Sequence, residues 1–155
     1  MRRVQIFNRQ SSLTLDRILL RRVARGLLED LLDRHDYELG VHFIAADEMT
    51  QLNETFLGHH GSTDVITFNH QESAVSAMLC GEIFISVDDA LIYARRFRVK
   101  WPSEVTRYMV HGVLHLKGFD DTDAVSRRAM KRRENKLLKE LSLRFDLGKI
   151  GKPCS

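Results

Sequence analysis

The sequence predicts an α+β fold in which helices cover a small mixed sheet. Short apolar segments with the two-residue period of strands lie before Val87, and the chain after that residue has mainly helical periodicity. A length of 155 residues, with 43% hydrophobic and 29% charged residues, is typical of one domain with a well-buried core. We therefore expect a single domain over residues 1–148 and a flexible tail at residues 149–155.

The first half of the chain is predicted to alternate strands with helices. Strands are expected at residues 4–8 and 38–45, which are rich in apolar side chains. Between them, residues 15–33 repeat leucine, isoleucine and valine at the 3.6-residue spacing of an amphipathic helix. Asp47 is a suitable N-cap, and it predicts a helix that ends near Phe56.

The second half is predicted to complete the sheet and then to become helical. Strands are expected at residues 64–68 and 82–86. Helices are predicted at residues 87–98, 103–117 and 122–143. The sequence contains no apolar segment of membrane-spanning length, so no membrane association is expected. Cys80 and Cys154 form neither a ligand pair nor a disulfide framework, which favours a reducing cytoplasm.

A metal site is predicted on one helix and the turn that follows it. His111 and His115 are four residues apart, so they lie on one helix face and can bind a single cation. Gly118 permits the turn that ends the helix, and Asp121 is placed to return as a third ligand. Three protein ligands leave one coordination position open, as in catalytic Zn²⁺ sites. The alternatives are packed or surface histidines and an aspartate that caps the last helix.

One residue argues against proteolysis. Metalloproteases with this histidine spacing have a glutamate directly after the first histidine, where it acts as the general base. Gly112 occupies that position here. Peptide hydrolysis would therefore lack its usual proton acceptor.

The segment 111–121 closely resembles the signature His-Gly-x-Leu-His-Leu-x-Gly-Tyr/Phe-Asp-His of the YbeY family, and of the fixed positions only the last differs. Further resemblances lie along the chain at Leu52-Asn53 with Phe56, at residues 62–68, at residues 80–86, and at Met130 and Glu134. The resemblance implies a metal-dependent endoribonuclease specific for single strands. It further implies one divalent ion, a role in ribosome biogenesis and late ribosomal RNA processing at the 3′ end of 16S rRNA, and the small ribosomal subunit as partner.

Two positions depart from the family pattern. The third ligand of the family is usually histidine, whereas Asp121 stands here, and a carboxylate also binds Zn²⁺. The family has an arginine where this chain has Leu57, which cannot hold a phosphate by paired hydrogen bonds. His59 and His60 are partial replacements, although neutral imidazole is a weaker phosphate partner.

Two carboxylates are candidate catalytic residues. Asp64 and Glu82 lie in the segments that resemble the family, and either one would orient a water molecule or a metal ligand. The alternative for each is a strand-edge residue that only makes hydrogen bonds to the backbone.

Basic residues cluster on both sides of the ligand helix. Arg95 and Arg96 precede it, and Lys131 and Arg132 follow it, so we expect these four to contact RNA. The alternative is a solvated helix face. The sequence lacks an aromatic ladder of the kind that stacks single-stranded bases. The core is expected to contain Trp101, Tyr108 and Phe119.

The competing function is a ribosome-assembly factor in which the metal is structural and the missing arginine marks lost catalysis. A zinc-dependent peptidase ranks third because of Gly112. Oligomeric state has no signature in the sequence.

Overall fold

The computed structural model describes residues 1–71 and 78–154, and it has the predicted α+β fold. The strands in these residues are β1 Arg2–Arg9, β2 Leu13–Leu15, β3 Tyr37–Ile44, β4 Val65–Asn69, β5 Leu79–Ser86 and β6 Gly151–Pro153. The main sheet has the order β1-β3-β5-β4, in which the first three strands are parallel and β4 is antiparallel to β5. The mixed sheet is confirmed, and helices connect its parallel strands as such pairs require.

The helices are α1 Arg17–Arg25, α2 Ala46–Leu57, α3 Val87–Phe97, α4 Trp101–Leu116 and α5 Ala124–Arg144. The predicted helix over residues 15–33 is shorter and irregular. Asp16 caps α1 by accepting a hydrogen bond from the backbone N–H of Leu19 at 3.0 Å, so the residues before it are free to form β2. Beyond α1 the chain continues as a π-helical segment, Gly26–Leu31.

Helix α4 packs on β5, and two glycines allow its close approach. A Cβ atom at Gly112 would lie 2.7 Å from the side chain of Ile83, and one at Gly81 would overlap the side chain of Leu116. Successive side chains of a strand alternate between its two faces, so the odd-numbered residues of β5 face α4. The face of the sheet beneath α4 is therefore the one that supports the metal motif.

The C-terminal segment differs from the predicted flexible tail at residues 149–155. Ile150 is fully buried, and β6 pairs antiparallel with β2. Gly151 makes this pairing possible because a Cβ atom there would lie 2.5 Å from the backbone oxygen of Thr14. A three-residue strand is too short to produce a recognisable period, so the sequence pattern ends at residue 148 although the fold continues beyond it. Among the residues described, no helix has the length and apolarity needed to cross a membrane.

Candidate metal centre

The last two turns of α4 and the following turn carry the three predicted ligands. His111 and His115 are one helical turn apart, and their rings meet edge to face with centroids 4.6 Å apart. Gly118 has a φ of +105°, a conformation that favours glycine, and it turns the chain back over the end of the helix. Asp121 then lies beside the two histidines.

The ligand atoms of these residues converge on one point. The Nε2 atoms of His111 and His115 are 3.1 Å apart, and Oδ2 of Asp121 lies 3.6 Å and 3.4 Å from them, respectively. Two nitrogen ligands of tetrahedral Zn²⁺ are about 3.3 Å apart, as Zn–N bonds of about 2.0 to 2.1 Å require. The arrangement thus fits a small divalent cation, and it is the metal-ligand group found among the residues that the structure describes.

The hydrogen bonds of both imidazoles leave Nε2 available as a ligand. Nδ1 of His115 donates to the backbone oxygen of Phe119 at 3.1 Å, and Nδ1 of His111 donates to Oε2 of Glu134 at 2.6 Å. A neutral imidazole whose proton is on Nδ1 has its lone pair on Nε2. The two Nε2 atoms are 3.1 Å apart, so in metal-free protein a proton on His111 is shared between them, and a bound cation would take the place of that proton.

Glu134 contacts a proposed metal ligand, and the sequence assigned it no role. It lies on α5, is buried, and its Oε1 is 3.5 Å from Nη1 of Arg107. Burial alone lowers the pKa of His111, but the hydrogen bond and charge of Glu134, with the charge of Asp121, outweigh it and raise that pKa. The sequence signal for this residue is a glutamate at a position where helical spacing otherwise places apolar side chains, since Met130, Leu137 and Leu141 lie on the same side of α5.

Two cavities meet at the ligands. One, of about 380 Å³, is lined by His111 and Asp121 with residues of α3, α4 and α5. The other, of about 510 Å³, is lined by all three ligands and by Leu57. The leucine that replaces the expected arginine therefore lies at the metal centre, 47% exposed.

Asp64 lies at the metal centre. It precedes β4 and lines both cavities, and its Oδ1 accepts a hydrogen bond from the backbone N–H of Val65 at 2.8 Å. Its backbone oxygen accepts from the N–H of Ser86 at 2.9 Å, which fixes the residue at the end of β5. This position is compatible with the predicted catalytic role.

The structure corrects the prediction for Glu82. It alternates on β5 with Ile83, whose side chain faces α4, so Glu82 points to the opposite face of the sheet. There its two oxygens lie 2.8 Å from Nε2 of His42 and of His70. It lines neither cavity of the metal centre.

The four predicted RNA contacts divide between different surfaces. Lys131 lines the cavity of about 380 Å³, whereas Arg132 is exposed and does not line it. Arg95 lines a separate cavity of about 610 Å³, and the guanidinium of Arg96 lies 5.3 Å from the ring centroid of Phe97. Two basic residues that the sequence analysis did not select, Arg107 and Arg127, also line the first cavity.

Gly112 excludes the peptidase glutamate on steric grounds as well. Its α-carbon faces Ile83 closely enough that no side chain fits between α4 and β5. A glutamate at this position would therefore force α4 away from β5.

Comparison with known proteins supports the resemblance found in the sequence. A family model described as Endoribonuclease YbeY matches residues 5–142. The chain is 29% identical over 148 residues to Endoribonuclease YbeY of Finegoldia magna, covering 92% of this chain and 96% of that one. It is 34% identical over 106 residues to Endoribonuclease YbeY of Phocaeicola vulgatus, covering 68% and 75%, respectively. A solution structure of a Thermotoga maritima protein matches with a TM-score of 0.64 and 25% identity, covering 89% of this chain and 88% of that one.

Proposed function

This chain belongs to the YbeY endoribonuclease family, and we propose that it is a metal-dependent endoribonuclease specific for single strands. The observation that carries this proposal is the convergence of two Nε2 atoms and one carboxylate oxygen within 4.8 Å of one another. The family relationship supplies RNA as the substrate, and the three-ligand centre supplies a reason for metal dependence.

The proposed ligands are His111, His115 and Asp121, and the proposed ion is Zn²⁺. A mixed set of imidazole and carboxylate ligands with an open position is common for this ion. When bound, such an ion acidifies water and neutralises charge that develops on a phosphodiester. Glu134 positions His111 through the 2.6 Å hydrogen bond, so it sets which nitrogen is free to bind.

The protein's own groups would complete the reaction. We assign to Asp64 the role of proton acceptor, because this residue lines both cavities that meet at the ligands. Arg107, Arg127 and Lys131 line the first cavity and would hold the phosphates on either side of the cleaved bond.

Ribosomal RNA is the proposed substrate, with the 3′ end of 16S rRNA and the small ribosomal subunit as the site of action. This part of the proposal rests on the family relationship alone. A protein with this role would act in the cytoplasm, where ribosomes mature. Basic residues that surround the cavity are consistent with a polyanionic substrate.

A second candidate is a non-catalytic ribosome-assembly factor that binds a structural metal. The observation that favours it is Leu57, an apolar side chain in a cavity lined by the three ligands. A leucine cannot contribute to transition-state charge stabilisation, so catalysis depends on the remaining cations.

A nuclease assay separates the two candidates. Purified protein is incubated with single-stranded and double-stranded RNA, with and without a chelator, and the His115→Ala variant serves as the matched control. We expect metal-dependent cleavage of the single strand that the chelator and the variant abolish. Metal-loaded protein that binds RNA without cleaving it would contradict the endoribonuclease and support the assembly factor.

A further inference from the structure

Helix α3 ends in an exposed aromatic pair. The rings of Tyr93 and Phe97 are one helical turn apart, with centroids 4.4 Å apart and planes inclined by 35°. Tyr93 is 40% exposed and Phe97 is 52% exposed. Aromatic rings contribute most when they are removed from water, so two contacting rings left at the surface suggest a binding function.

The pair lies next to the metal centre. Tyr93 lines the cavity of about 380 Å³ that reaches His111 and Asp121. Helix α5 contributes Arg127 and Lys131 to the lining of the same cavity. A strand of nucleic acid that enters this cavity would meet a ring on α3, cations on α5 and the metal ligands.

Exposed positive charge lies at the end of α3, whereas the carboxylates near the pair, Asp64, Glu104, Asp121 and Glu134, line the cavity on the side of the metal centre. Residues 90–103 contain four cations and no acidic residue. Arg95, Arg96, Arg98 and Lys100 are exposed, and none lies within 4 Å of a carboxylate among the residues that the structure describes. Because Arg96 lies over the Phe97 ring, a cation is held directly beside the aromatic surface.

We propose that Tyr93 and Phe97 form a stacking platform for unpaired bases of the RNA that the metal centre cleaves. Single-stranded nucleic acid is bound through aromatic rings that stack on bases and cations that track the phosphates, and both lie here on one helix. Bases within a duplex are already stacked on their neighbours, so the platform selects single strands. The inference rests on the proposed function, since it names how the same site recognises its substrate.

The exposed cations at the end of α3 favour RNA over a protein partner for this surface. A protein surface would have to supply acidic groups as well as apolar ones, whereas RNA supplies a phosphate for every base. Arg96, whose guanidinium lies 5.3 Å from the Phe97 ring centroid, places a cation beside a ring, as the alternation of phosphate and base along a single strand requires.

The test measures binding of a single-stranded RNA oligonucleotide to full-length protein in the His115→Ala background, which prevents cleavage. The same oligonucleotide is prepared with one abasic residue at each position in turn. The binding variants are Tyr93→Ala with Phe97→Ala, the ring-conserving pair Tyr93→Phe with Phe97→Tyr, and Ile92→Ala as the control. Ile92 is 60% exposed on the same helix and carries no ring.

We expect the double alanine variant to bind the intact oligonucleotide about tenfold more weakly, which is the typical effect of losing a stacked base. The ring-conserving pair and Ile92→Ala should bind as the parent does. Abasic residues should weaken binding by the parent at one or two adjacent positions, and this position dependence should be absent from the alanine variant.

The proposal is overturned if the alanine variant retains the parent's affinity, or if it loses affinity but keeps the same position dependence. Circular dichroism of each variant shows whether the fold is intact, and the ring-conserving pair provides a second comparison in case the alanine variant unfolds. Cleavage by the wild-type chain is measured in parallel. If RNA binding depends on the two rings but the wild-type chain cleaves no RNA, the proposed enzyme is contradicted and the platform is retained. If the wild-type chain cleaves RNA with metal but binding does not depend on the rings, the platform is contradicted and the proposed enzyme is retained.

Discussion

Two clusters of histidine and carboxylate lie on opposite faces of the sheet, and they differ in which imidazole nitrogen is left free. At the metal centre, Nδ1 of each histidine is bound, to Glu134 and to the Phe119 carbonyl, so both Nε2 atoms converge with a free lone pair. On the other face, Nε2 of His42 and Nε2 of His70 each contact Glu82 at 2.8 Å. The first cluster is therefore arranged to bind a cation, whereas in the second cluster the imidazoles form hydrogen bonds to the carboxylate of the same cluster.

The second cluster is completed by aromatic stacking. The ring of His42 is stacked between Phe7 and Phe84, with centroids 4.5 Å and 4.2 Å away, and its Nδ1 is 3.3 Å from Nη1 of Arg9. With Nε2–H donating to Glu82 and Nδ1 accepting from the guanidinium, His42 has no lone pair left for a metal. Residue composition alone does not distinguish the clusters; the direction of the hydrogen bonds does.

The largest expected effect is loss of the metal. His111→Ala or His115→Ala should abolish stoichiometric binding, because two protein ligands hold the ion too weakly against water. His42→Gln, which removes a histidine from the opposite cluster, should leave the metal content unchanged. Elemental analysis of the three purified proteins checks this. Metal lost from His42→Gln would show that the two clusters are not distinct.

The metal ligands and the second cluster were not equally predictable from the sequence. His111, His115 and Asp121 lie within eleven residues of one another, so helix periodicity and one glycine turn suffice to bring them together. Glu134 on α5 contacts His111 on α4, and Glu82 on β5 contacts His42 on the neighbouring strand β3. Contacts between distant segments depend on how the elements pack, which local patterns do not specify.

The fold was predicted where the patterns are long and missed where they are short. Periodicity located the strands of the main sheet and the three last helices, because each spans several repeats of its own period. β2 and β6 have three residues each, and their pairing depends on Gly151 and the buried Ile150 rather than on a pattern. The alternation of Glu82 with Ile83 was visible in the sequence, but it does not say which face of the sheet α4 covers.

A somewhat smaller effect is expected at the third ligand. Asp121→Ala should weaken metal binding strongly, Asp121→Asn should weaken it substantially because the amide carries no charge, and Asp121→His should retain it. Isothermal titration of metal-free protein with Zn²⁺ gives the three affinities. An unchanged affinity in Asp121→Ala would show that the third ligand is another residue.

The next effect concerns the carboxylate that orients His111. Glu134→Gln should lower zinc affinity by about 10- to 100-fold, the usual range for a partner that positions a ligand. The amide can still accept the Nδ1–H hydrogen bond but carries no charge, so it does not strengthen the imidazole as a donor to the ion. Glu82→Gln is the matched control on the opposite face and should leave the affinity unchanged. Equal loss in both variants would remove the distinction drawn between the clusters.

An increase in activity is expected at position 57. Leu57→Arg should raise the cleavage rate about 10- to 100-fold without changing metal content, because a charge-assisted contact to phosphate contributes about 1.5 to 3 kcal/mol. The side chain at this position lines the cavity with all three ligands, so a guanidinium there reaches the substrate. Leu57→Met is the control for side-chain length without charge. A stable, metal-loaded Leu57→Arg protein with no gain would mean that Arg107, Arg127 or Lys131 already fills the role.

The smallest expected effect is a difference between the pKa values of His42 and His111 in metal-free protein. Burial is the main cause that lowers the pKa of His42 below its ordinary value of 6.5, despite the opposing effect of Glu82, whereas the pKa of His111 is raised. The unfolded chain then binds more protons than the folded chain at His42 as the pH falls through 6.5, so acidification destabilises the fold through this residue. His111 acts in the opposite sense: its stabilising contribution is present below pH 6.5 and is lost as the pH rises through its folded pKa. For either histidine, the free energy of unfolding cannot change by more than about 1.4 kcal/mol per pH unit, because only one proton is involved. NMR titration of the ring protons should place the titration midpoint of His42 at a lower pH than that of His111. The variants His42→Gln and His111→Ala assign the two signals. The reverse order would mean that the carboxylate of Glu82 raises the pKa of His42 as strongly as Glu134 raises the pKa of His111.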